Sequence, residues 1–582
     1  MIEKIKRFQK IELILVILLI FLFFITRLNI IDYGLPFFQQ EDENAFLKNT
    51  IFYISFVTGI KTEMSDPFLA PLINLLLTLK ILFVNEFIMN ASSLSEIKQK
   101  VYDDPSIMIV YGRYISLTIT SLSFFLIYLI FKKLKINFFI YFPLLISLSF
   151  SLFTTPISLV NGKNSYYLFF FISQLYFLIK YYFKLEKFNR NTYFLFSILA
   201  AFAWGVNYWG AIVSIYGICI LHFKKFKLKN LQYLIYFSMG LTVFGILPSL
   251  FIEEYYFFSF LIEGHSHQID QSIFSIYEFL SGYLEKIWLS IQIIFYTEVF
   301  VTIYLSLFLF YFFKSFDNKK IIFLLSLLIL EPILIMSLAG DEVVPELRYF
   351  SGLICLMFIL TALIIKDISS YYKSKSIILI FALINIAIVY PKIINHTKLS
   401  NVFLSNHTFN NFYEKNKNIN QNILYLIPNL DNRKNFKNLD FYKNLHENNI
   451  IKNKDVKKDN YESILKKIKI QKDSKLNFKN KMTLDLNTFN MALFEIKNLE
   501  IFFNEVKKKY RFVSIEENNL EYNHLYSYIR SNYYKIDQQF DNKNLQHNSS
   551  LRDVVKFLYY GGSPKKLSNF VHGNNYSLYK LD

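Results

Sequence analysis

Phe37-Phe38-Gln39-Gln40-Glu41-Asp42-Glu43-Asn44-Ala45-Phe46 places three consecutive carboxylates between aromatic residues, on a loop that begins Asp32-Tyr33-Gly34-Leu35-Pro36. Immediately before it runs Ile11 to Thr26, an apolar segment behind a basic start of Lys4, Lys6, Arg7 and Lys10. No small-x-small cleavage site follows, so the segment reads as a retained signal anchor with its basic end in the cytoplasm. That orientation puts the acidic loop outside, against the membrane surface. A carboxylate held at an apolar boundary has a raised pKa and acts as a base, or it binds a divalent metal ion. The plain alternative is a solvated loop that happens to be acidic.

Working outward, the composition decides the class. The 582 residues are 53% hydrophobic and 19% aromatic, with a mean hydropathy of +0.29. A soluble chain does not carry repeated apolar runs of bilayer-crossing length, about 17–25 residues. The net charge of +18 does not indicate a nucleic-acid partner. Much of the Lys and Arg lies between apolar segments, where the positive-inside bias places it, or in an Asn- and Lys-rich tail. Cys219 and Cys355, the only cysteines, both lie within apolar runs and form no disulfide or zinc pattern.

The stretch Pro67–Met89 contains Pro71, Asn74 and Lys80. Counting it as a span reverses the side of every later basic loop, so residues 67–89 read as a helix in the outer interface. The later charges then sort by side. Ile109–Phe131 runs inward to Lys132 and Lys133, and Phe138–Thr155 returns. Tyr166–Phe183 runs inward to Lys184 and Lys187. Thr192–Val206 and Gly210–Phe223 form a short pair ending at Lys224 and Lys225. Leu231–Ile252, Ile293–Phe313, Ile321–Leu338, Phe350–Ile365 and Ser376–Tyr390 complete a polytopic α-helical membrane protein of about eleven transmembrane helices. Residues 1–391 form the membrane region, with the acidic outer loop at 28–66. Residues 392–582 lose the long apolar runs. Strand patterns at Ile423–Ile427 and Arg511–Ile515 suggest a small extracytoplasmic α/β domain there.

Charges near the outer ends of spans are the candidate ligand groups. Arg113 opens the second span, Arg348-Tyr349 opens the tenth, and Lys163 lies in a short outer loop. An anionic lipid phosphate suits them, because a guanidinium offers a planar fork matched to phosphate oxygens. Snorkelling interfacial anchors are the plain alternative. Glu263-Gly264-His265-Ser266-His267 offers a close histidine pair in an outer loop, a weak metal or headgroup signal. Glu298 and Glu331 are intramembrane acids, the latter before Pro332.

The order of these features resembles the GT-C fold glycosyltransferases, especially the bacterial relatives of protein O-mannosyltransferases and the lipid A aminoarabinose transferases. The resemblance rests on Pro36-Phe37-Phe38 with Asp42-Glu43, and on Asp66-Pro67-Phe68-Leu69-Ala70-Pro71-Leu72. It continues with Tyr111-Gly112-Arg113-Tyr114 leading to Lys132-Lys133, Ala200-Ala201-Phe202-Ala203-Trp204-Gly205, and Arg348-Tyr349. It covers roughly residues 1–390. The chain departs from the pattern at Asn161-Gly162-Lys163-Asn164-Ser165, where the family often has a second acid, and at Asn207, where it often has Lys.

The resemblance implies transfer of a sugar from a polyprenyl-phosphate carrier to a lipid, glycan or protein acceptor. The site would lie on the outer face of a bacterial inner (plasma) membrane, in contact with membrane lipids. Asp42 is then the general base and Glu43 its orienting partner. Arg348 and Tyr349, with Arg113 or Lys163, hold the departing phosphate, while His265 and His267 remain acceptor or headgroup contacts. No cofactor is fixed by this reading, and the acidic pair leaves a divalent metal ion open. The leading alternative is a transporter or flippase of lipid-linked sugars, which predicts inverted repeats and midplane charges. A third, an envelope scaffold, leaves the acidic loop unexplained.

Overall fold

The computed structural model describes residues 2–28, 31, 106–225 except 152, 161 and 207, 231–246, 276–312 except 299, 318–337 and 347–399. From the C-terminal part it describes residue 415 and 422–426, 483–484, 500, parts of 503–516, 523–539 and 576–581. Asp42, Glu43, His265, His267 and the 67–89 stretch lie outside the described residues.

The helices, in chain order, are α1 (Ile2–Leu28), α2 (Ser106–Lys133), α3 (Phe138–Ser149), α4 (Thr154–Leu159), α5 (Lys163–Phe183), α6 (Arg190–Val206) and α7 (Ile212–Lys225). They continue with α8 (Gln232–Leu241), α9 (Ile276–Thr297), α10 (Phe300–Phe312), α11 (Lys319–Ser337), α12 (Ser351–Tyr371) and α13 (Lys375–Leu399). Among the described residues, four helices are long and apolar enough to cross a membrane: Gln9–Leu28, Val110–Lys133, Ser351–Tyr371 and Lys375–Ile393. Phe138–Ser149, Gln232–Phe244 and Thr302–Phe312 are apolar but shorter.

The bundle is built around α12. Its sequence is hydrophobic all round, the pattern of a helix with no solvent face, and every residue from Ser351 to Ile365 is buried. It packs against α2, α3, α5, α10, α11 and α13. Gly352 allows the approach to α5, since a Cβ there would come within 2.7 Å of the Phe171 ring. The peripheral helices are one-sided. On α1, Val16, Leu19 and Phe23 face the core while Ile14, Leu18 and Phe21 are exposed. α13 leaves Leu379, Leu383 and Ile386 exposed. Apolar faces this continuous suit lipid better than water.

Local chemistry sets the turns. Between α2 and α3, Lys135 takes φ 54°, and the Asn137 side chain caps α3 by accepting from the Phe139 amide at 3.0 Å. α6 and α7 have 17 and 14 residues, roughly 26 and 21 Å at 1.5 Å per residue. Both are shorter than a hydrocarbon core of about 30 Å. The break between them is a 3-10 turn, Tyr208–Ala211. Buried Gln174 satisfies it, donating to the Gly210 carbonyl at 3.0 Å and accepting from the Ser214 amide at 2.9 Å. Irregular backbone survives in apolar surroundings only with such partners.

Two expected spans differ in the structure. The segment read as one span, Ile293–Phe313, is two helices, and the first begins at Ile276 within what sequence suggested was an outer loop. They part at Glu298, a fully buried carboxylate whose partners lie on other elements. The span expected over Phe138–Thr155 is helical only to Ser149, and α4 follows as a separate short helix.

The C-terminal strands are β1 (Ile423–Leu426), β2 (Thr483–Leu484), β3 (Phe512–Glu516), β4 (Tyr534–Gln539) and β5 (Tyr576–Lys580), in the order β2-β1-β3-β5-β4. β1 runs parallel to β2 and β3, while β5 runs antiparallel to β3 and β4. β1 and β3 fall on the two stretches whose residue pattern indicated strands. Helix α14 (Asn523–Asn532) buries Leu525, Tyr526 and Ile529 between β3 and β4 in sequence. Burial raises the Tyr510 phenol, ordinarily near 10, to about 12.

Candidate functional site

The polar groups of the spans collect at the two ends of the bundle. The end from which α1 exits and at which α2 and α12 begin carries the richer set. Arg27, in the last turn of α1, is fully buried. Its guanidinium donates to the Ser149 carbonyl at 2.5 Å, to Thr154 Oγ1 at 3.5 Å and to Thr26 Oγ1 at 3.1 Å, and lies 4.0 Å from the Phe23 ring centroid. Its Nε has no hydrogen-bond partner, and no carboxylate pairs with it among the described residues. A buried cation held only by carbonyl, hydroxyl and ring dipoles remains electrostatically unbalanced.

From Arg27 the network runs inward. Thr154 Oγ1 donates to the Ser151 carbonyl at 2.7 Å, and the Ser151 hydroxyl donates to Glu298 Oε2. The other oxygen of Glu298 takes Lys392 Nζ of α13 at 2.5 Å. Glu298 is fully buried and the Lys392 side chain is 14% exposed. The seam therefore joins α1, the α3–α4 turn, the α9–α10 break and α13, tying four parts of the chain by charge-assisted bonds.

Of the candidates named from sequence, Arg113, Lys163, Arg348 and Tyr349 lie among the described residues. Arg113 is 2% exposed and donates to the Ile31 carbonyl at 2.8 Å. It thus holds the backbone at Ile31, just after α1, against the start of α2. Lys163 is the first residue of α5 and follows Gly162 at its N-cap, with buried Asn164 beside it in sequence. Arg348 and half-buried Tyr349 belong to the 3-10 turn Leu347–Phe350, which leads into α12 and packs on α9 and α11. The alternating sense of the helices brings these positions to one end of the bundle.

Sequence reasoning passed over Arg27 and Lys392, and it left Glu298 without a partner. A signal was there. Both cations stand near the C-terminal ends of long apolar segments, Arg27 in the last turn of α1 and Lys392 near the end of α13. The partners of Glu298 are 94 and 147 residues away in sequence, and no periodicity reports such separations.

The opposite end is basic and locally paired. Lys132 meets Glu12 at 2.9 Å, and the Tyr141 hydroxyl donates to the same carboxylate. Asp367 accepts from Tyr311 Oη at 2.5 Å and from Asn318 Nδ2 at 2.6 Å. These carboxylates, like Glu298, have their oxygens engaged by protein donors. Among the described residues no group of three or more His, Cys, Asp or Glu converges as a metal site. No protein-family model matches the chain, and no curated protein matches it either.

Proposed function

We propose that the chain is a GT-C-type membrane glycosyltransferase that moves a sugar from a polyprenyl-phosphate donor to an acceptor hydroxyl of a lipid, glycan or protein. One observation carries the reading. Buried Arg27, which lacks a carboxylate among the described residues, and Arg113 lie where α1 ends and α2 begins, the two helices between which Asp42 and Glu43 fall in sequence. This end supplies what phosphate departure from a sugar needs: fixed positive charge in a low-dielectric surround.

In this mechanism the Asp42 carboxylate takes the proton of the acceptor hydroxyl as its oxygen bonds to the anomeric carbon. The bond from that carbon to the phosphate oxygen breaks, and its electron pair leaves on the carrier phosphate. Arg27 is the group best placed to balance that charge, with Arg348 and Lys163 on neighbouring turns. Glu43 orients the base or holds the acceptor. Arg113 acts as a positioning residue by fixing the backbone at Ile31. The carrier tail stays in the bilayer while its headgroup reaches the loop.

The accompanying topology has about eleven membrane segments, basic loops in the cytoplasm, and the acidic loop and the C-terminal α/β unit outside. In the four long apolar helices, charged residues lie within about two turns of an end. A flippase would place such groups near the midplane. The test is photocrosslinking with a polyprenyl-phosphate sugar bearing a photoreactive group near the phosphate. Labelling of α1, α3 or the α12 start, reduced at least tenfold by Arg27→Met, supports the reading. Labelling confined to the opposite end would overturn it.

A further inference from the structure

The basic end of the bundle holds a feature that sugar transfer does not use. Between α10 and α11 lies a cavity of about 340 Å³, lined by Phe308, Phe312, Ile322 and Phe323 together with Lys319 and Lys320. Phe312 and Phe323 are about half exposed (47% and 48%), so the cleft opens laterally at the protein surface. Lys224, at the end of α7, does not line the cleft but lies within electrostatic reach of Lys320, which does. α7 and α11 are tied by the Tyr216 hydroxyl, which donates to the Leu324 carbonyl at 2.6 Å. Lys224 Nζ donates to the Tyr182 carbonyl at 3.2 Å and sits 3.4 Å from the Tyr182 ring centroid. Lys319 donates to the Phe312 carbonyl at 2.7 Å.

Charge is what makes the cleft informative. No carboxylate pairs with Lys224, Lys319 or Lys320 among the described residues. Asp367, behind the cleft, has both oxygens taken by Tyr311 and Asn318 and is 7% exposed. Lys320 lies close enough to Lys224 to help hold its ammonium below the ordinary value, an effect second to burial. Lys319 and Lys320 also open α11, where the helix dipole disfavours cations and favours an anion. Helix stability therefore does not account for this cluster.

We propose that the α10–α11 cleft binds an anionic phospholipid of the leaflet facing the basic loops, with an acyl chain against the phenylalanines and the phosphate among Lys224, Lys319 and Lys320. An apolar floor beneath ammonium groups that no carboxylate neutralises among the described residues matches that chemistry, and a zwitterionic headgroup would leave the excess positive charge unanswered. The site stands whether or not the opposite end transfers sugar.

The test is native mass spectrometry of the detergent-purified full chain, titrated with phosphatidylglycerol and, separately, with phosphatidylcholine. The wild type should prefer the anionic lipid at least tenfold. The K224Q/K319Q/K320Q variant should lose that preference, and the single exposed-site change Lys320→Gln should reduce it severalfold with the fold undisturbed. K184Q/K187Q/K373Q removes the same charge from exposed positions on the same side and should keep the preference. Equal loss in both triple variants would reduce the effect to net charge and overturn the site. So would an unchanged Lys320→Gln, or a wild type that binds phosphatidylcholine as well as phosphatidylglycerol.

Discussion

Removing Lys392 should destabilise the protein more than removing its partner, because Glu298 is the more deeply buried member of the pair. At about 4 Å between charge centres and an effective dielectric near 20, the attraction is about 4 kcal/mol. Lys392→Met leaves Glu298 as a buried anion with only the Ser151 hydroxyl, and breaking such a pair from one side costs about 3–5 kcal/mol. Glu298→Gln leaves a cation near a helix end, and its long stem can carry the ammonium to the interface. That loss should be smaller, about 1–3 kcal/mol. The double variant replaces both charges and should fall within about 1–2 kcal/mol of the wild type, giving a coupling of about 2 kcal/mol or more. The assay is reversible unfolding in mixed micelles, followed by far-UV circular dichroism, for all four proteins of the cycle. Additive single losses, with coupling below about 0.5 kcal/mol, would refute the pairing as the reason for the seam.

Arg27→Met should leave stability within about 1 kcal/mol of the wild type, because an apolar side chain of similar volume replaces a buried cation without a carboxylate partner. Carrier binding should nevertheless weaken at least tenfold. A loss above 3 kcal/mol with unchanged binding would make the residue purely structural. Gly352→Ala should cost about 1–3 kcal/mol by driving a methyl into the Phe171 ring, and Phe171→Leu should relieve part of that cost in a melting comparison. The raised phenol of Tyr510 predicts a titration difference between wild type and Tyr510→Phe near pH 12 in the 295 nm absorbance. Since the folded value lies above the ordinary one, the linked stability is complete below pH ~10 and is lost as pH rises through about 12.

The apolar runs made the helices legible wherever an element's own residues decide it. α12 shows this most clearly, being hydrophobic on every face and buried along the bundle axis. β1 and β3 were legible for the same reason, as short β-branched and aromatic runs in a polar tail. What escaped was decided between elements. The apolar pattern around Glu298 is continuous enough to read as one span, and only Ser151 and Lys392 explain why the chain breaks there. Gln174 satisfies the backbone of the α6–α7 turn from another helix, a role that no pattern in its own segment marks. Arg113 stood out by position as a candidate ligand cation, while its bond to Ile31 required the fold. The acids at Asp42 and Glu43 were singled out by their place between aromatic residues after the first apolar segment and by the resemblance to the GT-C glycosyltransferases.

The central claim is sugar transfer with Asp42 as the base, and the direct measurement is transfer by purified protein, wild type against Asp42→Asn. Radiolabelled polyprenyl-phosphate sugars serve as donors and a membrane extract supplies the acceptor, with and without chelator. The account predicts transfer by the wild type and at least a hundredfold loss in the variant, with donor binding retained. Equal transfer by both proteins would remove Asp42 from the mechanism. No transfer from any donor, with lipid-linked sugar crossing reconstituted vesicles instead, would contradict the account and make the chain a flippase.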